Sequence, residues 1–414
     1  MSDDRHDIEI LRRMVEQYVE LASDPIQEER RNLWQAHYSL KRVRPPIICR
    51  FGMWNNWCRL LWQDANMQCR DPFFRSMEQA LNVLLFHGYA GDDYILEPWI
   101  NMQAVHRISW GQAWGVDRDV VHPEQLDGAY KPMPFIHEWA DAKKLVAPKH
   151  EIDEEATARN LDRLHGAIGD LIEINVDRRP ILAGPGGDLS GTLGLLRGID
   201  QMMRDMYDSP EELHNLVRFM RDGVLANQQQ AEDAGDYTMT SGENQAMCYA
   251  DELERPKANS GPRKRSQLWG FGAAQEFTLV SPKMTEEFIF QYQRTILQNY
   301  ALVSYGCCED LTRKIDMVRQ LKNVRCIAVS PVANLRKCAE QIGTDYCMSW
   351  RPNPADMVAT DWNEERVRTI ISEGLEITRE QYVHISLKDV ETVGGELERY
   401  PRWVKIVREL AEKA

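Results

Sequence analysis

The chain has 414 residues, a length that suits one large barrel with extensions or two domains, and its 43% hydrophobic and 28% charged residues are the balance of a globular protein. Its formal net charge of −14 repels nucleic acid and anionic membranes, so neither is expected as a partner. The sequence has no run of about 18 apolar residues and no apolar signal-peptide core, which predicts a cytoplasmic protein. Its nine cysteines lack the spacing of a secreted scaffold and are therefore expected to be reduced.

The first half of the chain predicts helices and strands in an irregular order. Two helices over 5–42 form a predicted N-terminal helical extension, residues 1–43, and the remaining residues, 44–414, are predicted to form one barrel domain. Within that domain the pattern first indicates a strand at 44–51, a helix at 71–86, strands and loops over 92–116, a helix at 153–175, a strand with a glycine-rich turn at 181–191, a helix at 209–233 and a polar loop at 251–266.

The second half of the chain is regular. Short apolar strands, LVSYGCC, RCIAVS, DYCMSW and YVHISL, alternate with predicted helices at 283–299, 310–321, 333–342, 363–377 and 401–412. Such alternation is typical of βα units and a parallel sheet. Together with the strand-like segments upstream, it predicts an α/β fold, a (β/α)8 TIM-type barrel that carries the N-terminal helical extension.

Functional groups of such barrels lie at the C-terminal ends of the strands and in the loops that follow. That rule selects eight candidate segments, which are FGMWNNW (51–57), GPGGD (184–188), GENQ (242–245), WGFGAAQE (269–276), SYGCCE (304–309), VSPVAN (329–334), YCMSWRPNP (346–354) and HISLKDVETVGG (384–395).

Adjacent thiols distinguish the segment SYGCCE. Because side chains alternate along a strand, Tyr305, Cys307 and Glu309 are expected on one side and Cys308 on the other. We expect Cys307 at the barrel mouth with Tyr305 beneath it and Glu309 above it, and Cys308 packed in the core. Cys307 and Glu309 could hold Zn²⁺ if other strands add a ligand, although packing is an alternative for a cysteine. The candidate third ligands are His384, Cys347, Glu276 and His87.

The last predicted strand and two upstream segments supply further candidates. Lys388 and Asp389 are costly to bury unpaired, so Lys388 could bind an anionic group or act as an acid, or the two could form a structural ion pair. His384 lies deeper in the strand, where a hydrogen-bonded core role is favoured over a ligand role. Candidate substrate-binding side chains are Trp54, Trp269, Phe271, Gln275, Glu276 and Arg351, and barrel core is the alternative for the aromatic ones.

Four segments carry a family resemblance: YGCCEDL (305–311), RCIAVSPVANL (325–335), SWRPNPADM (349–357) and HISLKDVETVGG (384–395). Over most of its length the chain resembles the uroporphyrinogen decarboxylase superfamily, which implies a (β/α)8 barrel. The arginine-rich RQAGR motif of the true decarboxylases is not found. The corresponding region, IICRFGMWNNWCR, contains only Arg50 and Arg59, so porphyrinogen decarboxylation is not expected.

A second branch of this superfamily comprises corrinoid-linked methyltransferases, in which an HxC pair and a last-strand cysteine hold Zn²⁺. Here Tyr305-Gly306-Cys307 stands in place of HxC, and SLKDVET has no cysteine. The resemblance implies a methyltransferase component that demethylates a small methylated substrate and passes the methyl group to a separate corrinoid protein, since no DxHxxG-type corrinoid signature is found. Pairing into a homodimer is a further expectation.

The residue roles that follow from the resemblance form one hypothesis. Tyr305 and Lys388 are the expected proton donors, with Asp389 beside them, and the variant zinc ligands are Cys307, Glu309 and His384. Two alternatives stay open. One is a metal-independent decarboxylase or lyase for a small acid, which would use Lys388 and Arg351 to bind its substrate. The other is a non-catalytic barrel that binds a small molecule.

Overall fold

A computed structural model of the chain describes residues 4–50, 61, 66–117, 120–121, 131–240, 247–359 and 361–413. The predicted substrate-binding residue Trp54 and the candidate segment at 242–245 lie outside the described residues. None of the helices within the described part is long and apolar enough to cross a membrane.

Two amphipathic helices open the chain, as the sequence predicts. They are α1 (Arg5–Ala22) and α2 (Ile26–Tyr38). Helix α1 buries Ile10, Leu11 and Val15 in a core shared with later helices, whereas α2 buries Trp34 and Tyr38 against residues of the central sheet.

The central sheet has six parallel strands. Their spatial order is β1 (Ile47–Cys49), β10 (Tyr382–Leu387), β9 (Cys347–Trp350), β8 (Val324–Val329), β7 (Leu302–Tyr305) and β6 (Trp269–Gly272). Two further parallel strands, β2 (Trp99–Gln103) and β5 (Glu173–Asp177), pair with each other, and β3 (Val120–Val121) pairs antiparallel with β4 (Lys131–Pro132). The architecture is therefore TIM-like, with a curled half-barrel at its centre.

Closure of the barrel, which the sequence predicted, is not found among the described residues. The backbone N–H groups at the free edge of β1 show a physical reason. Ile47 N donates to Asp93 Oδ2 at 2.8 Å, and Cys49 N donates to Asp92 Oδ2 at 2.8 Å. Carboxylates thus satisfy the donors that a neighbouring strand would otherwise pair with. Asp92 and Asp93 are buried in this role.

The remaining helices pack around the strands and on one another. In chain order they are α3 (Pro72–Ala90), α4 (Glu154–Ile168), α5 (Leu189–Arg197), α6 (Ile199–Asp208), α7 (Pro210–Ala234), α8 (Pro282–Thr285), a π-helical turn (Glu286–Phe290), α9 (Gln291–Leu297), α10 (Ile315–Val318), α11 (Leu335–Ile342), α12 (Pro354–Val358), α13 (Glu364–Ile377) and α14 (Arg399–Ala411). Asp or Asn side chains cap the first turns of several of them, including Asp188 before α5 and Asn334 before α11.

Strand alternation separates an apolar face from a face of mixed polarity. Val303, Ile327 and Ile385 point into the largest core, which the strands share with the covering helices. The opposite face carries polar side chains, among them Ser349 and its register partner His384, both buried. The inner face of the half-barrel therefore combines an apolar cluster around Trp34 and Trp269 with buried polar side chains, and it leads to the loops at the C-terminal ends of the strands.

Candidate active site at the C-terminal end of the sheet

Three strand ends bring candidate residues together at one end of the sheet. Cys307 follows β7, Arg351 follows β9 and Lys388 follows β10. Lys388 Nζ lies 2.9 Å from Cys307 Sγ, and the lysine side chain is 7% exposed. The convergence agrees with the general rule that functional groups collect at the C-terminal ends of parallel strands.

Gly306 turns the chain so that Cys307 reaches this mouth. Its φ of 105° is left-handed, and a Cβ there would lie 2.8 Å from Leu311 Cδ1 and 3.0 Å from Ala328 Cβ. Both the conformation and the space therefore require glycine. The turn interrupts strand alternation, so Cys307 does not continue on the face that Tyr305 occupies.

Two buried side chains hold the backbone of this turn. The carboxylate of Glu309 accepts from Cys307 N at 2.7 Å through Oε2 and from Ala274 N at 2.8 Å through Oε1. Arg351 donates to the carbonyl oxygens of Cys307 and Gly306. Glu309 and Arg351 are 2% and 3% exposed, so both act as fixed braces of the thiol-bearing loop.

The two thiols carry opposite tendencies to ionise. The hydrogen bond from Cys308, helped by the positive charges of Lys388 and Arg351, outweighs burial and lowers the pKa of Cys307 to about 6. The same hydrogen bond to Cys307 raises the pKa of Cys308 above its ordinary value. At neutral pH, Cys307 is therefore a thiolate, and Cys308 is a thiol that can donate to it across 3.6 Å.

Asp389 completes the cluster from the last strand end. Its carboxylate oxygen Oδ2 lies 3.3 Å from Lys388 Nζ and 3.2 Å from Cys308 Sγ, whose single proton can be donated either to this carboxylate or to Cys307. The side chain is about half exposed and its φ is 57°, so Asp389 marks the solvent rim of the mouth. The predicted core packing of Cys308 is wrong, because the turn at Gly306 places this thiol at the exposed rim.

Tyr305 lies away from the mouth, contrary to its expected position beneath Cys307. It is fully buried between the sheet and the helices, with its ring 5.6 Å from that of Phe290. Its hydroxyl donates to Gln293 Oε1 at 2.9 Å, and burial raises its pKa well above the ordinary value.

The structure does not bring the predicted zinc ligands together. Both oxygens of Glu309 accept backbone N–H groups, and His384 lies deeper in β10, where its Nδ1 is 3.0 Å from His37 Nε2. Lys388 occupies the space beside Cys307. In the described part of the chain, no group of three or more His, Cys, Asp or Glu residues is arranged to hold a metal ion. The predicted set therefore does not fit zinc.

The further candidates for a third ligand also lie apart from Cys307. His87 bonds through Nδ1 to Asp92, at 3.0 Å from Oδ2. Cys347 is fully buried, and its thiol donates to the carbonyl oxygen of His37 at 3.1 Å.

A second polar cluster joins the loops after β5 and β6. Ser190 Oγ donates to Glu276 Oε2 at 2.6 Å and lies 3.0 Å from Asp188 Oδ1. Burial, and then the nearby charge of Glu276, raise the pKa of Asp188 well above its ordinary value. Gln293 also donates to Asp188 Oδ1, at 3.4 Å. One hydroxyl thus lies between two carboxyl groups, one of which tends to keep its proton.

Apart from Arg351, which lies at the mouth, and Trp54, which lies outside the described residues, the predicted substrate-binding residues are distributed between this second cluster and the sheet interior. Gln275 Nε2 lies 3.5 Å from Glu276 Oε1. Phe271 lines a cavity of about 20 Å³ together with Asp188. Trp269 is buried inside the half-barrel, where its Nε1 donates to Ser304 Oγ at 3.0 Å.

A solved methyltransferase from Methanosarcina mazei superposes on this chain with a TM-score of 0.54. The match covers 92% of this chain and 97% of that one, at 12% sequence identity. The chain shares the fold of a known methyltransferase. At this identity the likeness shows the fold alone. No family model and no curated protein matches the chain, so its resemblance to the uroporphyrinogen decarboxylase superfamily stays a prediction.

Sequence reasoning missed Ser190 and Gln293, which connect the second cluster. The segment 184–188 was a candidate, and the order Asp188-x-Ser190 is a helix-start pattern that could have pointed to Ser190. Gln293 lies on α9, more than 100 residues away in sequence, and no local pattern indicates its contact with Asp188.

Proposed function

We propose that this chain is a methyltransferase component that demethylates a small methylated substrate at the mouth and passes the methyl group to a corrinoid protein. The observation that carries the proposal is the contact of a buried ammonium, Lys388, with the Cys307 thiolate, at 2.9 Å, at the strand ends. The fold shared with a methyltransferase supports it.

Methyl groups bound to oxygen, nitrogen or sulfur leave slowly, because the departing heteroatom must take up an electron pair. A proton donated to that heteroatom lowers the barrier, typically by about 100-fold or more in rate. Lys388 Nζ carries such a proton at the mouth. As the methyl–heteroatom bond breaks, its electron pair stays on the heteroatom and the Lys388 proton moves onto it.

The remaining residues of the mouth position this acid. Cys307 and Asp389 hold the ammonium by charge, and Arg351 and Glu309 fix the loop that carries Cys307. A corrinoid bound to the partner protein would supply the nucleophile that accepts the methyl group. The exposed Cys308 and Asp389 would lie on the side from which that partner approaches.

Arg351 supports a second candidate function. With Lys388 it places two buried cations at one mouth, a pair that could bind the carboxylate of a small acid and support its decarboxylation. However, the Arg351 guanidinium already donates to the carbonyl oxygens of Gly306 and Cys307. We therefore rank the lyase below the methyltransferase.

One assay separates these functions. Protein kept free of oxygen is mixed with reduced free cobalamin and a panel of methoxy, methylamine and methylthio compounds, and methylcobalamin is followed by its absorbance. We expect turnover by the wild type, loss in Lys388→Met, and full activity in the matched control Lys405→Met, whose lysine is exposed on α14. Release of CO₂ from small acids without methyl transfer would instead establish the lyase. Binding of a panel compound with neither product would establish a non-catalytic barrel.

A further inference from the structure

Two consecutive thiols lie close together at the mouth. Cys307 Sγ and Cys308 Sγ are 3.6 Å apart, and Lys388 Nζ lies 2.9 Å from the first and 3.6 Å from the second. Both sulfurs therefore lie on the same side of the turn, although they belong to neighbouring residues. The sulfurs of a disulfide are about 2.0 Å apart, a separation that rotation of the exposed Cys308 side chain can bring within reach.

Exposure distinguishes this pair from the other cysteines in the described part of the chain. Cys308 is exposed and Cys307 is partly exposed, whereas five others are buried. Cys326 and Cys347 are also neighbours, as register partners on β8 and β9, but they are only 2% and 0% exposed. A reagent in solution can therefore reach the thiols of the mouth and not those inside the sheet.

The loop and its surroundings keep the two sulfurs together. Glu309 accepts from Cys307 N at 2.7 Å, and Arg351 donates to the Cys307 carbonyl oxygen, so the backbone beside the thiols is held from two directions. Asp389 Oδ2 lies 3.2 Å from Cys308 Sγ, where it can take up the proton of that thiol. A base thus stands beside the exposed sulfur of the pair.

We propose that Cys307 and Cys308 form a redox modification site, at which a low-molecular-weight disulfide oxidises the two thiols to an internal disulfide bond. The Cys307 sulfur attacks one sulfur of the small disulfide, whose S–S bond breaks, and one half leaves as a thiolate. The Cys308 sulfur then attacks the Cys307 sulfur, and the other half leaves and takes up the Cys308 proton through Asp389. The two cysteine sulfurs are oxidised by two electrons, and the small disulfide is reduced to two thiols.

The resulting bond is expected to be easily reversed. The Cα atoms of consecutive residues lie about 3.8 Å apart, closer than the about 4.4 Å at which ordinary disulfides begin, so the ring is strained. Strained and exposed disulfides are reduced more readily than structural ones, and regulatory bonds are drawn from this class.

Oxidation also changes the surroundings of Lys388. It replaces the sulfur partner of the ammonium at Cys307 with a neutral disulfide and leaves Asp389 as the anionic contact. The oxidised mouth therefore lacks the arrangement on which the proposed function rests. This consequence depends on the proposed function, whereas the modification itself does not.

Peptide mass spectrometry tests the modification directly. Wild type, Cys308→Ser and the control Cys248→Ser are purified reduced, incubated with glutathione disulfide, blocked with iodoacetamide in denaturant and digested with trypsin. Residues 295–313 then form one peptide, whose cysteines are Cys307 and Cys308 alone. We expect this peptide to be lighter by two hydrogen atoms in the wild type and in Cys248→Ser, and to recover two alkylated thiols after excess reduced glutathione. Cys308→Ser should instead hold one glutathione on Cys307.

Four results would overturn the inference. They are two free thiols in the treated wild type, a glutathione adduct that never closes to the internal bond, a disulfide between this peptide and another one, and an internal bond that persists in excess reduced glutathione. The measurement requires no methyl transfer, so failure of the proposed function and failure of this inference can be told apart.

Discussion

Ionisable side chains differ in charge between the inner end of β10, represented by His384, and its outer end, represented by Lys388 just after the strand. His384 and Lys388 are four residues apart and both are buried. At the inner end, burial and then the charges of nearby cations lower the pKa of His384 well below its ordinary value, and its partner is a second buried histidine, His37. At the outer end, Lys388 contacts the Cys307 thiolate and the Asp389 carboxylate. Burial alone removes charge, whereas burial beside opposite charges keeps it.

The cysteines repeat this contrast. Cys347, inside the half-barrel, is fully buried, and burial raises the pKa of its thiol well above the ordinary value. Cys307, at the mouth, has its pKa lowered to about 6 by the hydrogen bond from Cys308 and by two nearby cations. The buried thiol of the inner end therefore stays protonated and inert, and the ionised thiol lies at the partly exposed mouth.

The largest expected effect is at the charged end. Lys388→Met should lower methyl transfer by about 100-fold or more, because it removes the proposed general acid. Initial rates of methylcobalamin formation measure the loss. His384→Phe serves as the comparison, and its rate per folded molecule should stay close to the wild-type value. Equal losses of rate in the two variants would show that the two ends of β10 do not differ in their contribution to methyl transfer.

The pH dependence of thiol alkylation should show that Cys307 ionises at a lower pH than an ordinary cysteine. Alkylation of Cys307 by iodoacetamide, located by peptide mass spectrometry, should rise with pH and reach half its maximum near pH 6. Cys308→Ala should move that midpoint to higher pH, because the hydrogen bond from Cys308 is the largest cause of the lowered pKa. A midpoint near the ordinary value of cysteine in the wild type would contradict this account.

The histidine pair should make the fold sensitive to acid. Burial lowers the pKa of His37 from 6.5 to about 3. Between these two pH values the unfolded chain therefore binds a proton at His37 and the folded chain does not. Stability from this group is complete above pH 6.5 and is lost as the pH falls toward 3, by about 1.4 kcal/mol per pH unit. Urea unfolding at several pH values measures it. His37→Phe should show a shallower loss than the wild type, and identical slopes would refute the prediction.

Gly306→Ala should weaken both the fold and the thiol position. An alanine at φ 105° is strained, and its Cβ would crowd Leu311 and Ala328, at a cost of about 1–3 kcal/mol. Urea unfolding measures the cost, and slower Cys307 alkylation would report the displaced thiol. Gly395→Ala is the matched control, because φ there is 82° with open space around the Cβ. The control should cost less and leave alkylation unchanged.

The smallest expected effect is a gain in stability from Asp188→Asn. Burial and the charge of Glu276 raise the pKa of Asp188, so the folded state is most stable when this group is protonated and loses stability as the pH rises through the raised value. The variant should therefore melt at a higher temperature at pH 8, and its advantage should shrink at pH 5. Asp93→Asn should have the opposite effect, because hydrogen bonds from Arg44 and Arg408 hold its carboxylate in the charged form despite burial.

Much of the regular half of the fold was predictable. The strands and most helices after residue 281 lie close to their predicted ranges, because the apolar periodicity that reveals them is local, whereas the helix predicted at 310–321 is only the short turn Ile315–Val318. The rule on strand ends also located the segments that carry Cys307, Arg351 and Lys388. Closure of the barrel is not found among the described residues, where two consecutive aspartates turn inward to cap the edge of β1, and an Asp-Asp pair in a loop is ordinarily exposed.

Strand alternation also misplaced individual side chains near the thiols. It assigned Tyr305 and Cys307 to one face, but the left-handed turn at Gly306 sends Tyr305 to the helices and both cysteines to the mouth. Alternation holds within a strand and ends where the strand ends, here at Tyr305.

The sequence by itself determined where strands end and which reactive residue types stand there, because both depend on local patterns of apolar and polar side chains. The tertiary structure alone decided which of those residues are charged and what they contact. Lys388 meets Cys307 from 81 residues away, and His37 meets His384 from 347 residues away. A pKa follows from the burial and neighbouring charges that such distant contacts create, so the chemistry of the mouth exists only in the folded chain.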